Sequence, residues 1–166
     1  MRTIDHRELL RAYTFSSLVR RRALGAPTSG VDVHVKYPLA AQQAFSTSLA
    51  PEVPVGRPFR FLLLSGGLVV RDQSATLPPG MGALKQRGRV EQDFVDFEAQ
   101  NQGTWKSFIA RPWFVTMPGS WEGWVVPNAY QIPVEVLGKA LVEVALNGCD
   151  VQTLDNAALR QIGQQA

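Results

Sequence analysis

The sequence predicts an α/β protein built on parallel strands, and three observations carry that expectation. Residues 59–64 (Phe-Arg-Phe-Leu-Leu-Leu) are an apolar run broken only by Arg60. So short a run suits a strand buried on both faces better than one alternating between core and water. It stops at Ser65-Gly66-Gly67, a tight turn at the strand's carboxyl end, where open α/β sheets gather their ligands. Helix-like and strand-like stretches then alternate along the chain in the order helix, strand, helix, strand, helix, helix. That order produces parallel strands joined by right-handed crossovers.

Composition bounds the rest. A chain of 166 residues is most simply one domain, burying roughly 70% of its unfolded surface. Apolar residues make up 45% and charged residues 19%, as in ordinary globular proteins. The net charge of +3 owes much to Arg20-Arg21-Arg22, a run short enough to read as solvated surface, so no nucleic-acid partner is expected. No stretch approaches the roughly 20 apolar residues that cross a bilayer, and no membrane partner is expected. Asp5, Glu8 and several arginines stand where a secretory signal needs an apolar core. A single cysteine, Cys149, rules out an internal disulfide and fits a reducing compartment. The expected location is cytoplasmic. Cys149 with two histidines, His6 and His34, is too few for a dedicated zinc site in one chain.

Taken in order, Asp5 and Glu8 resemble a capping box, with Leu9, Leu10 and Tyr13 on one face of a short helix. The segment 24–30 reads as a turn. Helical spacing of Val35, Leu39, Gln42, Phe45 and Leu49 predicts a helix. Pro38 costs about 3 kcal/mol inside a helix and little at its start, so the regular helix begins near Tyr37-Pro38 and 31–36 is an irregular lead-in. The segment 50–56 is a loop. After the strand at 59–64 and a Pro/Gly-rich loop, a helix is expected over 83–99, with Val90, Phe94 and Phe97 on one face and Gly88 allowing close approach to the sheet. Residues 106–110 form a second strand, closed by Arg111-Pro112. A long aromatic loop over 113–131 follows. The segment 134–146 is an amphipathic helix with Leu137, Leu141, Val144 and Ala145 inward, stopped by Asn147-Gly148. A last helix runs over 156–162, capped by Asp155.

From Leu24 onward the chain resembles the C-terminal half of an atypical or extended short-chain dehydrogenase/reductase, of the NAD(P)-binding epimerase-like kind. Leu24-Gly25-Ala26 is similar to the end of the family's fourth strand, and Val31-Asp32-Val33 with Ala40-Ala41 to the helix after it. Phe61-Leu62-Leu63-Leu64-Ser65-Gly66 resembles the fifth strand with its active-site serine. Lys85, with Gly88 and Glu91, resembles the helix that carries the catalytic lysine. Arg111-Pro112 and Val115 resemble the Arg-Pro motif after the sixth strand, and 132–146 the closing helix. The resemblance implies a truncated Rossmann-like fold, half of a doubly wound parallel sheet over 23–166, preceded by a divergent helix or tail over 1–22. Two departures accompany it. The family's GxxGxxG turn, which puts backbone N–H groups against a pyrophosphate, is absent. Met81 occupies the tyrosine place four before Lys85, and a thioether donates no proton.

The resemblance implies an oxidoreductase-family descendant with an impaired NAD(P) site, acting on or binding an apolar metabolite. It assigns Ser65 and Lys85 to catalysis, and Gly25, Ser65, Lys85, Arg111 and Pro112 to the cofactor. Arg111, Trp113, Trp121, Trp124 and Tyr130 would meet the substrate. Each has a plainer alternative. Ser65 can satisfy a strand end, Lys85 can be a surface lysine, and Arg111 can fix a loop rather than a carboxylate or phosphate. The aromatic loop can be ordinary packing. Arg71-Asp72 reads as a mutual ion pair or a loop anchor, and His34 and Tyr37 as minor acid/base candidates. Competing functions are a cofactor-independent isomerase, cyclase or dehydratase, and a non-catalytic interaction protein. Half a sheet leaves an open strand edge, so a homodimer or a partner subunit is expected there.

Overall fold

A computed structural model of the chain describes residues 32–119 and 126–166. The expected helix or tail over 1–22, Gly25, Trp121 and Trp124 lie outside the described residues. Within them the protein is mixed α/β, with four α-helices and two small sheets of parallel strands.

Helix α1 spans Tyr37–Ser48 with Pro38 in its first turn, where the missing N–H has no helical acceptor to lose. The lead-in Asp32–Lys36 is a single π-helical turn rather than irregular chain, closed by Lys36 Nζ 2.8 Å from the Asp32 carboxylate. Val35, Leu39 and Phe45 pack inward as the spacing predicts. Leu49 does not: the helix ends at Ser48, and Leu49 is 39% exposed at the turn into a short 3₁₀ segment, Ala50–Glu52.

Strand β1 is Phe59–Leu64, and its composition follows from having a core on each face. Phe59, Phe61 and Leu63 join Val90, Phe94, Trp105 and Ile109 in one cluster. Leu62 and Leu64 join Phe108, Ile132, Leu141 and Leu159 in the other. Helix α2, Gly82–Gln100, supplies Val90 and Phe94 to the first. Its Gly88 packs not on the sheet, as expected, but on the loop before the helix, where a Cβ would collide with the Val70 carbonyl.

Strand β2, Trp105–Ala110, runs parallel to β1 in register from Phe59↔Trp105 to Leu64↔Ala110. The segment expected as one aromatic loop contains β3, Phe114–Thr116, and β4, Gln131–Pro133, paired parallel as a separate sheet. Phe114 and Val115 are exposed, so no inward-outward alternation marked the strand. Helix α3, Val134–Asn147, buries Leu137, Leu141, Val144 and Ala145, and Gly148 ends it at φ 75°. Arg60, the one charge in β1, donates to the Ala145 and Leu146 carbonyls at that helix end, where backbone acceptors lack helical partners.

Strand β5, Thr153–Leu154, is too short to show a pattern in sequence and pairs with β2. Helix α4, Asn156–Gln165, follows, and Asp155 Oδ1 accepts from the Ala158 N–H at 2.8 Å. The strand order β1-β2-β5 places α1 and α2 over one face and α3 and α4 over the other. Among the described residues the outer edge of β1 has no strand partner. No described helix is long and apolar enough to cross a membrane.

Candidate functional site

The carboxyl ends of β1 and β2 are stitched together beyond the regular ladder. The Ser65 N–H donates to the Ala110 carbonyl, the Arg111 N–H to the Leu154 carbonyl and the Gly67 N–H to the Pro112 carbonyl, each at 2.8 Å. Ser65-Gly66-Gly67 and Arg111-Pro112-Trp113 are thereby held side by side on one edge of the sheet. The Ser65 hydroxyl makes no hydrogen bond among the described residues.

Under this edge lies a residue whose role the sequence did not reveal. Glu91, on α2, is fully buried, and a buried carboxylate requires charged partners. Arg71 Nε donates to its Oε2 at 2.8 Å, and Arg71 Nη2 to Thr153 Oγ1 at 2.8 Å. Arg111 Nε meets both Glu91 oxygens at 3.1 Å, and its Nη2 donates to Oε2. Glu91 thus ties the β1–α2 loop, the end of β2 and β5 to one helix. Arg71 does not pair with Asp72, as one reading of the sequence had it. Asp72 instead accepts from the Ser74 hydroxyl at 2.6 Å and N–H at 2.8 Å. Those bonds hold its carboxyl below the usual range.

A third guanidinium stands one helical turn before Glu91. Arg87 is half-buried and has neither a hydrogen-bond nor an ion-pair partner among the described residues. Desolvation pulls its pKa down, and the Glu91 charge opposes that only in part. The fork lies against Gly66: a Cβ there would be 3.4 Å from Arg87 Nη2 and 3.6 Å from Nη1. The Arg87 charge also reaches His34, whose imidazole is held below the ordinary histidine range by desolvation and then by Arg87.

The next residue along the turn meets an aromatic ring. Gly67 lies directly beneath the Trp113 indole, and a Cβ at that position would overlap Cδ1 and Nε1. Trp113 is 40% exposed and its ring centroid is 5.1 Å from that of Tyr130. Buried Asn156 joins the two segments, accepting from the Trp113 N–H at 3.1 Å and donating to the carbonyls of Ala129 at 3.0 Å and Gln131 at 3.3 Å. Nothing in the sequence distinguished Asn156 from any helix-start asparagine.

Lys85 is placed elsewhere. Its Nζ donates to the Gln73 carbonyl at 2.8 Å, and Gln73 Nε2 returns a bond to the Lys85 carbonyl at 3.1 Å. Met81 precedes the helix and is exposed. The Lys85 ammonium and the Arg111 guanidinium therefore each have a hydrogen-bond partner within the chain, the Lys85 bond being an exposed one. The Ser65-Gly66-Gly67 turn leads into the loop 65–81, not directly into a helix N-terminus.

A groove of about 460 Å³ lies at the opposite end of the sheet, lined by Glu98, Trp105, Lys106 and Gln152. Burial pushes the Glu98 carboxyl up, but hydrogen bonds from Lys106, the Ser107 N–H and Gln152 outweigh it and hold the group below the usual range. Its polar groups are spent on one another. Among the described residues no group of three or more His, Cys, Asp or Glu is placed to hold a metal ion. No protein-family model, curated protein or solved structure matches the chain.

Proposed function

We propose that the chain is a descendant of the short-chain dehydrogenase/reductase family that holds a small, largely apolar metabolite at the carboxyl edge of a Rossmann-like sheet, without a self-sufficient nicotinamide dinucleotide site. One observation carries this reading: Ser65-Gly66-Gly67 has Arg87 against Gly66 and Trp113 over Gly67, and the Ser65 hydroxyl makes no hydrogen bond among the described residues. Trp113 and Tyr130, their rings tilted at 51° to each other, offer an apolar wall, and Ser65 offers one hydrogen bond to fix a ligand oxygen.

A second reading, chemistry on that metabolite without nicotinamide, draws support from Lys85. Its ammonium donates to the Gln73 carbonyl, which supports a reading in which Lys85 takes no part in the chemistry. Hydroxyl and guanidinium donors fixed beside an apolar wall can instead stabilise charge developing on a substrate oxygen.

The two ligand types separate in one titration series on the full chain, using NADPH and 1-octanol as probes and following heat and tryptophan fluorescence. Octanol is expected to bind and to lose about tenfold in affinity in Gly67→Ala, whose new methyl displaces Trp113. NADPH is expected to show no binding up to millimolar concentration. Micromolar NADPH binding, or octanol binding indifferent to Gly67→Ala, would overturn the proposal.

A further inference from the structure

We propose that the ligand of this edge carries an oxyanion, a carboxylate or a phosphoryl group on an apolar body, and that Arg87 is the residue that binds it. This rests on the reading above, that the carboxyl edge holds a metabolite, and names the class of that metabolite.

The charge arrangement argues for it. Three guanidinium groups surround one carboxylate. Arg71 and Arg111 both bond the Glu91 carboxylate, whereas Arg87 makes no hydrogen bond or ion pair to it, so among the described residues three guanidinium charges face one carboxylate. A guanidinium is a planar fork of five N–H donors that is always charged. Half-burying one without an acceptor costs free energy unless an anion restores the lost hydrogen bonds. Among the described residues Arg87 is in that position, and desolvation pulls its pKa down.

Its surroundings point the same way. Gly66 has no side chain to cover the fork, and the guanidinium nitrogens lie close to where a Cβ would stand. His34, the titratable neighbour on the lead-in to α1, is neutral or cationic in either protonation state and supplies no negative charge, and its pKa is lowered by desolvation and then by Arg87. The Asp32 carboxylate on that turn is 2.8 Å from Lys36 Nζ, and Asp72 is turned to Ser74. Arg89, two residues along the same helix, is exposed and acts on Asp93, so it serves as an internal control. A carboxylate or phosphoryl group on Arg87 would lie beside Gly66, with the attached apolar chain carried over Gly67 toward Trp113 and Tyr130.

Calorimetric titration of the full chain with octanoate, 1-octanol and inorganic phosphate tests this, using native protein, Arg87→Gln, Arg87→Lys and Arg89→Gln. Circular dichroism and melting confirm that each variant is folded. Octanoate is expected to bind native protein more tightly than octanol, and to lose roughly tenfold to a hundredfold in Arg87→Gln, the worth of one charge-assisted contact. Arg87→Lys should recover part of the loss, and Arg89→Gln none should show. Octanol should bind native and Arg87→Gln alike. Octanoate no tighter than octanol, or unchanged in Arg87→Gln, overturns the anion assignment and leaves the metabolite reading standing. Phosphate binding through Arg87 without any octanol binding keeps the assignment and removes the apolar reading. No binding of any of the three removes both.

Discussion

Glu91 is where a single side chain decides most about this protein. In sequence it is one of several acids on a helix; in the fold it is fully buried between Arg71 and Arg111. Removing one partner of a buried ion pair is costly because the other charges keep their desolvation without compensation. Glu91→Gln is expected to destabilise the protein by about 2–4 kcal/mol in chemical denaturation, somewhat below the full figure for a sealed pair because both arginines keep some contact with water. A change under about 0.5 kcal/mol would mean that the triad is incidental. The same triad explains why Arg111, expected beside a ligand, has its guanidinium turned to Glu91, while Arg87, singled out by no motif, has no hydrogen-bond partner among the described residues.

At the scale of elements, the long periodic segments were legible. The strand at 59–64, the helix stop at Asn147-Gly148 and the Asp155 cap are where the spacing and end signals placed them. Legibility failed where the signal was shorter than a turn or carried by tertiary contact. Thr153-Leu154 and the exposed Phe114-Val115 have no length or alternation to read. The partners of Gly88 are set by a loop that no helical pattern describes. Glycines show the difference between local and tertiary demands. Gly163 on α4 lies against the Val136 carbonyl of α3, whereas Gly138 on α3 faces open space. Gly163→Ala is therefore expected to cost about 1–3 kcal/mol by overpacking. Gly138→Ala should stabilise by roughly 0.5–1 kcal/mol through helix propensity. Equal effects of the two in parallel melts would contradict the packing of α3 on α4.

For the molecule as a whole, the parallel sheet converts a line of chain into a place. Ser65, Arg111 and Asp155 each follow a strand directly, and the order β1-β2-β5 brings their segments to one edge. Part of the candidate site's arrangement was readable from that logic: a serine and glycines after a buried strand, and an arginine and tryptophan after the next. What the sequence could not supply was the pairing, because Arg87 over Gly66 and Trp113 over Gly67 depend on how α2 and β2 are rotated against β1. In the groove at the opposite end, Glu98 already accepts from Lys106, the Ser107 N–H and Gln152.

Nitrogen–proton correlation spectra of labelled full-length protein, recorded during titration with octanoate, test the placement of the site most directly. The expected result is a saturable set of shifts centred on the amides of Ser65, Gly66, Gly67 and Arg87 and on the Trp113 indole. Shifts confined to residues 98–106 and 152, or a spectrum that does not move, would contradict a binding site at the carboxyl edge.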